Sequence, residues 1–169
     1  YRCHWTPPLA IDPFDDETVY YGCNVIFKTS DKGQTWSVIS PDLSRATWDI
    51  PEPVGIYRTE ELKTMPRRGV IYTVAPSPRD VKTIWAGTDD GLIHRTTDGG
   101  KSWKDVTPPE ITSWSKVSLM DAGHWETSTA YAAVNRIRLD DLRPHIFRTH
   151  DGGATWKEIT DGLPLNEPI

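Results

Sequence analysis

The sequence predicts an all-β protein built from three four-stranded antiparallel sheets, arranged as consecutive blades of a β-propeller in a partial ring. One eight-residue phrase occurs three times within 169 residues, and each copy stands between short runs rich in β-branched and aromatic residues. Fourteen prolines and twelve glycines argue against long helices. Repeated four-stranded units in series are typical of propeller blades, whose sheets pack face to face around an axis.

The repeated phrase has the frame Asp-x-Gly-x-Ser/Thr-Trp, in the copies Thr29–Trp36, Thr96–Trp103 and Thr149–Trp156. The copies are unequally spaced, which indicates insertions between them. The residues that define the frame are Asp31, Gly33, Trp36, Asp98, Gly100, Trp103, Asp151, Gly153 and Trp156.

The runs around each copy give the strand order. A short apolar strand precedes the frame, another follows it, and two more β-rich runs lie upstream, so each blade has strands A to D with the frame at the C–D turn. The predicted boundaries are 1–40 for blade one, 41–68 for an inserted loop, 69–107 for blade two, 108–116 for a linker, 117–160 for blade three and 161–169 for a linker to a further blade.

The residue types of the frame suit a tight turn. A short carboxylate can accept two or three of the backbone N–H groups that the turn leaves unpaired, and Ser or Thr can add another bond. Glycine suits a position with positive φ, and the tryptophan can pack over the turn or between blades. A calcium site needs several converging oxygen ligands, and the frame supplies one Asp per turn. We therefore predict a structural role for these aspartates.

The frame resembles the Asp-box, or BNR, repeat shared by sialidases, xyloglucanases, sortilin-type receptors and photosystem II assembly factors. The flanking phrases Tyr20–Gly22, Trp85–Gly91 and Arg138–Pro144 are most similar to those of large secreted bacterial proteins of sortilin-like or glycosidase-like type. The resemblance covers nearly the whole chain. It implies a propeller fold and a secreted or extracytoplasmic location, in the periplasm or at the cell surface, but not one function, because such propellers do many jobs.

A candidate ligand face follows from the strand order. The A–B and C–D turns lie at one end of an antiparallel blade, so the insertions Pro41–Arg68, a D–A linker, and Asn135–Pro144, a B–C loop, both emerge opposite the frame turns. Arginine can hold carboxylates in a fork, and Trp or Tyr can stack on sugars or peptide side chains. Alternatively, the charges of the second insertion pair with one another to order their loop. The candidate residues are Trp48, Tyr57, Arg58, Glu60, Arg67, Arg136, Arg138, Asp140, Asp141 and Arg143.

Enzyme motifs are poorly represented. Sialidases use an arginine triad, a Tyr–Glu pair and an acidic Asp. In this chain, Tyr57, Arg58 and Glu60 come nearest to that set. A xyloglucanase needs two suitably separated carboxylates. The histidines show no metal-binding spacing, and no cofactor is expected. We favour a non-catalytic segment for protein or peptide binding, or scaffolding, in a larger secreted protein. The alternatives are part of a glycoside hydrolase or glycan-binding propeller, and a structural segment without a ligand.

Charge and hydropathy restrict the partners. A net charge of −5 argues against nucleic acid, and no apolar stretch is long enough to predict a membrane span. Cys3 and Cys23 fall on neighbouring predicted strands but not opposite each other, which favours two small buried apolar side chains over a bridge. Three blades cannot close a ring, so we expect further blades from the same longer chain or from other chains, with Asp161–Ile169 leading into one of them.

Overall fold

The structure, a computed structural model, describes residues 1–47, 50–52, 59 and 66–168. These residues form three four-stranded antiparallel sheets in which each strand pairs with its neighbour in sequence. The predicted fold class, three blades of a partial propeller, is confirmed. Four predicted site residues, Trp48, Tyr57, Arg58 and Glu60, lie outside the described residues.

Each blade begins with its longer strands and ends with a two-residue strand. Blade 1 consists of β1 Leu9–Asp12, β2 Asp15–Gly22, β3 Ile26–Thr29 and β4 Ser37–Val38. Blade 2 consists of β5 Ile71–Pro76, β6 Ile84–Thr88, β7 Ile93–Thr96 and β8 Lys104–Asp105. Blade 3 consists of β9 Lys116–Ala122, β10 Ala130–Asn135, β11 Ile146–Thr149 and β12 Lys157–Glu158, with a 3₁₀ turn at Ile137–Leu139 between β10 and β11.

The core of the described residues consists of two apolar layers, one between blades 1 and 2 and one between blades 2 and 3. Strand β6 shows the principle, because all five of its residues are buried. Ile84 and Ala86 face the layer shared with blade 1, and Trp85 faces the layer shared with blade 3. Successive side chains of a strand point to opposite faces, so one strand serves both layers. The middle blade is therefore held from both sides.

The frame turns share one hydrogen-bond pattern. In blade 2, Asp98 accepts the Ser102 N–H at 2.9 Å, the Ser102 hydroxyl at 2.6 Å and the Thr96 hydroxyl at 2.8 Å. Thr96 Oγ1 also accepts the Gly100 N–H at 3.0 Å, and Gly100 has φ +95°. Two of these three donors are hydroxyl groups and one is a backbone N–H. The bonds from Ser102 and Thr96, with a further one from the backbone of Lys101, lower the pKa of Asp98. The threonine two residues before the Asp satisfies the other turn amide.

The two cysteines form a disulfide, Cys3–Cys23. The prediction of two separate buried thiols was therefore wrong. Its error lay in placing Cys3 on a strand: the residues before β1 are irregular and lie along the β2–β3 turn, where Asn24 N–H donates to the Arg2 carbonyl at 2.7 Å. A bridge closes easily in such a segment because it does not have to follow ladder register.

The blades have two distinct ends. At one end, called the turn face, the C–D turns contact the A–B loops, as where Gly152 N–H donates to the Ser128 carbonyl at 2.8 Å. At the other end, called the rim face, the B–C turns meet the linkers between blades, as where Asp89 N–H donates to the Val70 carbonyl at 3.0 Å. No helix among the described residues is long and apolar enough to cross a membrane.

Candidate binding site on the rim face

A cleft on the rim face, called the rim cleft, forms where linkers and B–C turns of different blades meet. It is a small cleft with a volume of about 50 Å³. The charged and aromatic side chains that line the rim cleft are Arg45, Arg68, Asp89, Asp90, Trp114 and Arg138. They come from both interblade linkers, the residues before β5, the β6–β7 turn and the β10–β11 loop, so the cleft exists only because the blades pack together.

Asp90 is the buried centre of the rim cleft. It accepts the Thr88 hydroxyl at 2.6 Å and the Arg45 N–H at 2.8 Å, and it is 7% exposed. Gly69 lies directly against it, and a Cβ at Gly69 would collide with the carboxylate. Burial raises the pKa of Asp90. The Arg45 guanidinium donates to the carbonyls of Asp90, at 2.6 Å, and Gly91, at 2.8 Å, so it fixes the first linker to the β6–β7 turn.

Asp89 joins blade 2 to blade 3. Its carboxylate accepts the Val70 N–H at 2.8 Å, and its carbonyl accepts Arg138 Nη1 at 3.0 Å. Arg138 Nη2 lies 3.9 Å from the Asp89 carboxylate, but the Arg138 side chain stays 45% exposed. Arg68 is also exposed at the cleft. Two accessible guanidinium groups suit a ligand that carries a carboxylate or several hydroxyl groups.

Trp114 forms a wall of the rim cleft with an unusual backbone. It is half-buried and has φ +68°, a left-handed conformation that is uncommon for a bulky residue. Non-glycine residues in this region persist where the surrounding structure fixes them, often at functional sites. The indole supplies apolar contact area beside the two arginines.

A second group of charged side chains, called the closed group, lies in and beside the β10–β11 loop, and its members pair with one another. Arg143 holds Asp141 with two bonds of 2.9 Å, His145 Nε2 lies 3.0 Å from it, and Arg136 lies 3.6 Å from it. His145 is buried and bonds Glu158 through Nδ1 at 2.7 Å. The hydrogen bonds from Arg143 hold the pKa of Asp141 well below its usual range. These side chains order their own loop.

The structure therefore places the predicted site residues at different locations on the rim face. Of those in the described part of the chain, Arg138 lies in the rim cleft, whereas Arg136, Asp141 and Arg143 form the closed group. Arg67 lies 3.7 Å from Asp42, nearer to blade 1. Asp140 is exposed and ends the 3₁₀ turn with φ +59°.

Sequence reasoning missed most of the rim cleft. The phrase Asp89–Gly91 could have been found, since the strand order already puts a B–C turn on the rim face. Arg45 lies inside the first insertion but was passed over. Trp114 carried no such signal, because its backbone conformation depends on the packing of a linker. The part of the chain that the structure describes shows no group of three His, Cys, Asp or Glu residues that could hold a metal ion.

Comparison with curated proteins finds glycoside-active and sorting proteins. The chain is 33% identical over 108 residues to the xyloglucanase Xgh74A of Acetivibrio thermocellus, across 58% of this chain and 12% of that protein. It is 23% identical over 177 residues to a xyloglucanase of a Paenibacillus species, and 30% identical over 93 residues to the vacuolar protein sorting/targeting protein 10 of Aspergillus terreus. These alignments cover 16% and 6% of the two proteins. No family model matches the chain.

Solved structures support the propeller fold. An ancestral GH74 enzyme superposes with a TM-score of 0.63 at 20% identity, over 95% of this chain and 18% of that one. A structure of YCF48 bound to D1 peptide superposes with a TM-score of 0.56 at 19% identity, over 94% of this chain and 42% of that one. At these identities the likeness shows the fold alone. The chain thus resembles propeller segments of much longer glycoside hydrolase-like and sortilin-like proteins.

Proposed function

We propose that this chain is a non-catalytic propeller segment that binds a protein or peptide through the rim cleft and acts as a scaffold within a larger assembly of blades. The frame turns are, on this proposal, Asp-box repeats, and they serve the fold. The observation that carries the proposal is that two rim carboxylates of the described residues, Asp89 and Asp141, already have partners. Asp141 is held by Arg143, and Asp89 is held by the Val70 N–H, so both fix loops in place.

The accessible groups of the rim cleft suit a carboxylate-bearing peptide. Arg68 is exposed and Arg138 keeps 45% of its side chain exposed, so both can meet an acidic side chain or a chain terminus. Trp114 supplies an apolar wall for a neighbouring side chain. The structural neighbour YCF48 is seen with a bound peptide, which supports a peptide rather than a small cofactor as the ligand.

The disulfide supports a location outside the cytoplasm. Disulfides such as Cys3–Cys23 form and persist in oxidising compartments. The proposed location is the periplasm, the cell surface or the medium. The net charge of −5 disfavours nucleic acid as a partner.

A glycoside-active segment is the second candidate. Two xyloglucanases are among the similar proteins, and Asp90 has a raised pKa, which a general acid requires. Against this role, Asp90 is 7% exposed and already accepts bonds from Thr88 and Arg45. On the main proposal, Asp90 is a structural residue.

Two assays on the 169-residue chain separate the candidates. Binding of a glutamate-rich 15-residue peptide is measured by biolayer interferometry, with a lysine-rich peptide of equal length as the control. We expect the glutamate peptide to bind and Arg138→Ala to weaken its binding at least about fivefold. Xyloglucan is incubated with the chain and reducing ends are counted. Release of sugar by the parent that is lost in Asp90→Asn would overturn the main proposal and establish the second.

A further inference from the structure

The residues before β1 lie across the β2–β3 turn of blade 1. This segment, residues 1–8, is called the strap, and it has no regular secondary structure. Near its start, Asn24 N–H donates to the Arg2 carbonyl at 2.7 Å, and the Arg2 N–H donates to Asn24 Oδ1 at 2.9 Å. At its end, Gly22 N–H donates to the Pro8 carbonyl at 3.0 Å. Between these points Trp5 is 92% exposed, so the strap is attached at separate points and not along a ladder.

The Arg2 side chain joins the two ends of the first insertion. Its Nη2 atom donates to the Asp42 carboxylate at 2.8 Å and to the Ser44 hydroxyl at 3.0 Å, both in the linker after β4. The same atom donates to the Gly69 carbonyl, just before β5, at 3.4 Å. Asn24 Nδ2 supports the arrangement by donating to the same carboxylate at 3.1 Å. One guanidinium therefore holds the start of the insertion to the residue that directly follows it.

The residues that Arg2 holds are direct neighbours of the rim cleft. Arg45 follows Ser44, Arg68 precedes Gly69, and both arginines line the cleft. A Cβ on Gly69 would collide with the buried carboxylate at the centre of the cleft and with Ser44. Arg2 itself does not line the cleft. It can act on a ligand only through these neighbours, as a positioning residue.

The disulfide that anchors the strap is accessible from one side. Cys3 is exposed, whereas Cys23 is 1% exposed. A thiolate attacks a disulfide at a sulfur that it can reach, and exposed disulfides are the more labile ones. Cys23 has other contacts that keep it in place, because its N–H donates to the Val25 carbonyl at 2.8 Å and its carbonyl accepts the Ile71 N–H at 2.7 Å. Breaking the bridge therefore frees the strap and leaves the β2–β3 turn as it is.

We infer that Arg2 is a positioning residue of the rim cleft, and that reduction of Cys3–Cys23 by a dithiol releases it and lowers the affinity of the cleft for its ligand. One thiolate of the dithiol bonds to Cys3 Sγ, the Cys3–Cys23 bond breaks, and Cys23 leaves as a thiolate that takes up a proton. The second thiol then displaces Cys3 as a thiol. The protein disulfide gains two electrons and two protons, and the dithiol becomes a disulfide. The inference rests on the proposed function, because it concerns the same site.

The bridge matters because it keeps Arg2 beside its acceptors. Arg2 directly precedes Cys3, so its backbone is already ordered when its side chain meets Asp42. Without the bridge the strap gains conformational freedom, which it must lose again each time Arg2 binds. The two ends of the insertion are then held less firmly, and a less preorganised cleft binds its ligand more weakly.

Hydrogen exchange of the chain without ligand tests the release of Arg2. The Ser44 and Arg45 amides each donate to a carboxylate of this region, at 3.0 and 2.8 Å. We expect dithiothreitol to speed their exchange at least about fivefold, while the Gly100 and Ser102 amides of the frame turn keep their rates. Arg2→Met in the oxidised chain should give the same faster exchange.

Binding of the glutamate-rich peptide tests the effect on the cleft. The oxidised parent should bind at least about fivefold more tightly than the parent reduced with dithiothreitol, and reoxidation should restore the affinity. Arg2→Met should bind like the reduced parent and should not respond to reduction. Arg2→Lys keeps a charge that can reach Asp42, so it should recover part of the affinity.

Four outcomes would overturn the inference. They are a disulfide that dithiothreitol does not reduce in the folded chain, unchanged exchange at Ser44 and Arg45 on reduction, faster exchange that extends to the frame turns, and an Arg2→Met variant that binds like the oxidised parent. If Arg2→Met does not fold, the comparison of oxidised and reduced parent decides. If the oxidised parent binds no peptide, the proposed function fails, and the exchange rates still decide whether the bridge holds Arg2 in place.

Discussion

The turn face and the rim face differ in how far they repeat. On the turn face, the frame carboxylate accepts a hydroxyl at 2.6 Å and a backbone N–H at 2.8 to 2.9 Å in every blade. On the rim face, the three blades use different residues: Asn24 with Arg2, Asp90 with Arg45, and Asp141 with Arg143. The repeated face meets one requirement, a closed turn between two strands. On the rim face no single turn structure is common to the three blades. Its residues can therefore differ from blade to blade and form a site for a specific ligand.

The largest loss of unfolding free energy is expected on the turn face, at Gly100. Gly100→Ala places a Cβ at φ +95° against Ile39, whereas Gly99→Ala has φ +75° but meets no atom within 4 Å. We expect about 3–5 kcal/mol of lost unfolding free energy for the first variant and about 1–2 kcal/mol for the second. Urea denaturation measures both. Equal losses would mean that contact with blade 1 adds nothing to the backbone requirement.

A smaller loss of unfolding free energy is expected for substitutions inside the rim cleft. Arg45→Met removes two hydrogen bonds to backbone carbonyls, so it should cost about 1–2 kcal/mol of unfolding free energy. Arg138→Met leaves a half-exposed position and should cost less than about 0.5 kcal/mol. Urea denaturation of both variants checks this. A large loss in Arg138→Met would make that residue a structural tie instead of a ligand residue.

Each frame aspartate is expected to contribute a moderate and similar amount to the thermal stability of the chain. Asp98→Ala removes the acceptor of the Ser102 and Thr96 groups and should lower the melting temperature by about 3–6 °C. Asp161→Ala, at an exposed position beyond the last strand, serves as the control and should change nothing. Calorimetry of the two variants decides, and identical melting temperatures would remove the turn-stabilising role of the aspartate.

The same carboxylates predict a modest acid sensitivity. Hydrogen bonds from Ser102 and its counterparts hold the pKa of Asp31, Asp98 and Asp151 at about 2. Because the folded-state pKa is below that of the unfolded chain, the stabilisation is complete above about pH 4 and is lost as the pH falls towards 2. Melts at pH 5, 3.5 and 2.5 should show the decline, and Asp98→Asn should reduce it. An Asp98→Asn profile parallel to that of the parent would contradict the assignment.

Local chemistry made the blades predictable from the sequence, and tertiary contact made the cleft unpredictable. The run around β6 alternates between the two core layers, and the frame at Asp98 encodes its own turn within seven residues. Arg138, by contrast, meets Asp89 across 49 residues, which requires blades 2 and 3 to be already packed. The disulfide was missed for a similar reason, since Cys3 reaches Cys23 through an irregular segment whose path no strand pattern dictates.

The most direct test of the contrast between the two faces is an NMR titration. The ¹⁵N-labelled chain is titrated with the glutamate-rich peptide, and amide shifts are mapped on both faces. The account predicts changes at Asp89–Gly91 and around Arg138, with the frame turns at Lys32, Lys101 and Ala154 unaffected. Shifts confined to the frame turns, with the rim cleft silent, would contradict the account.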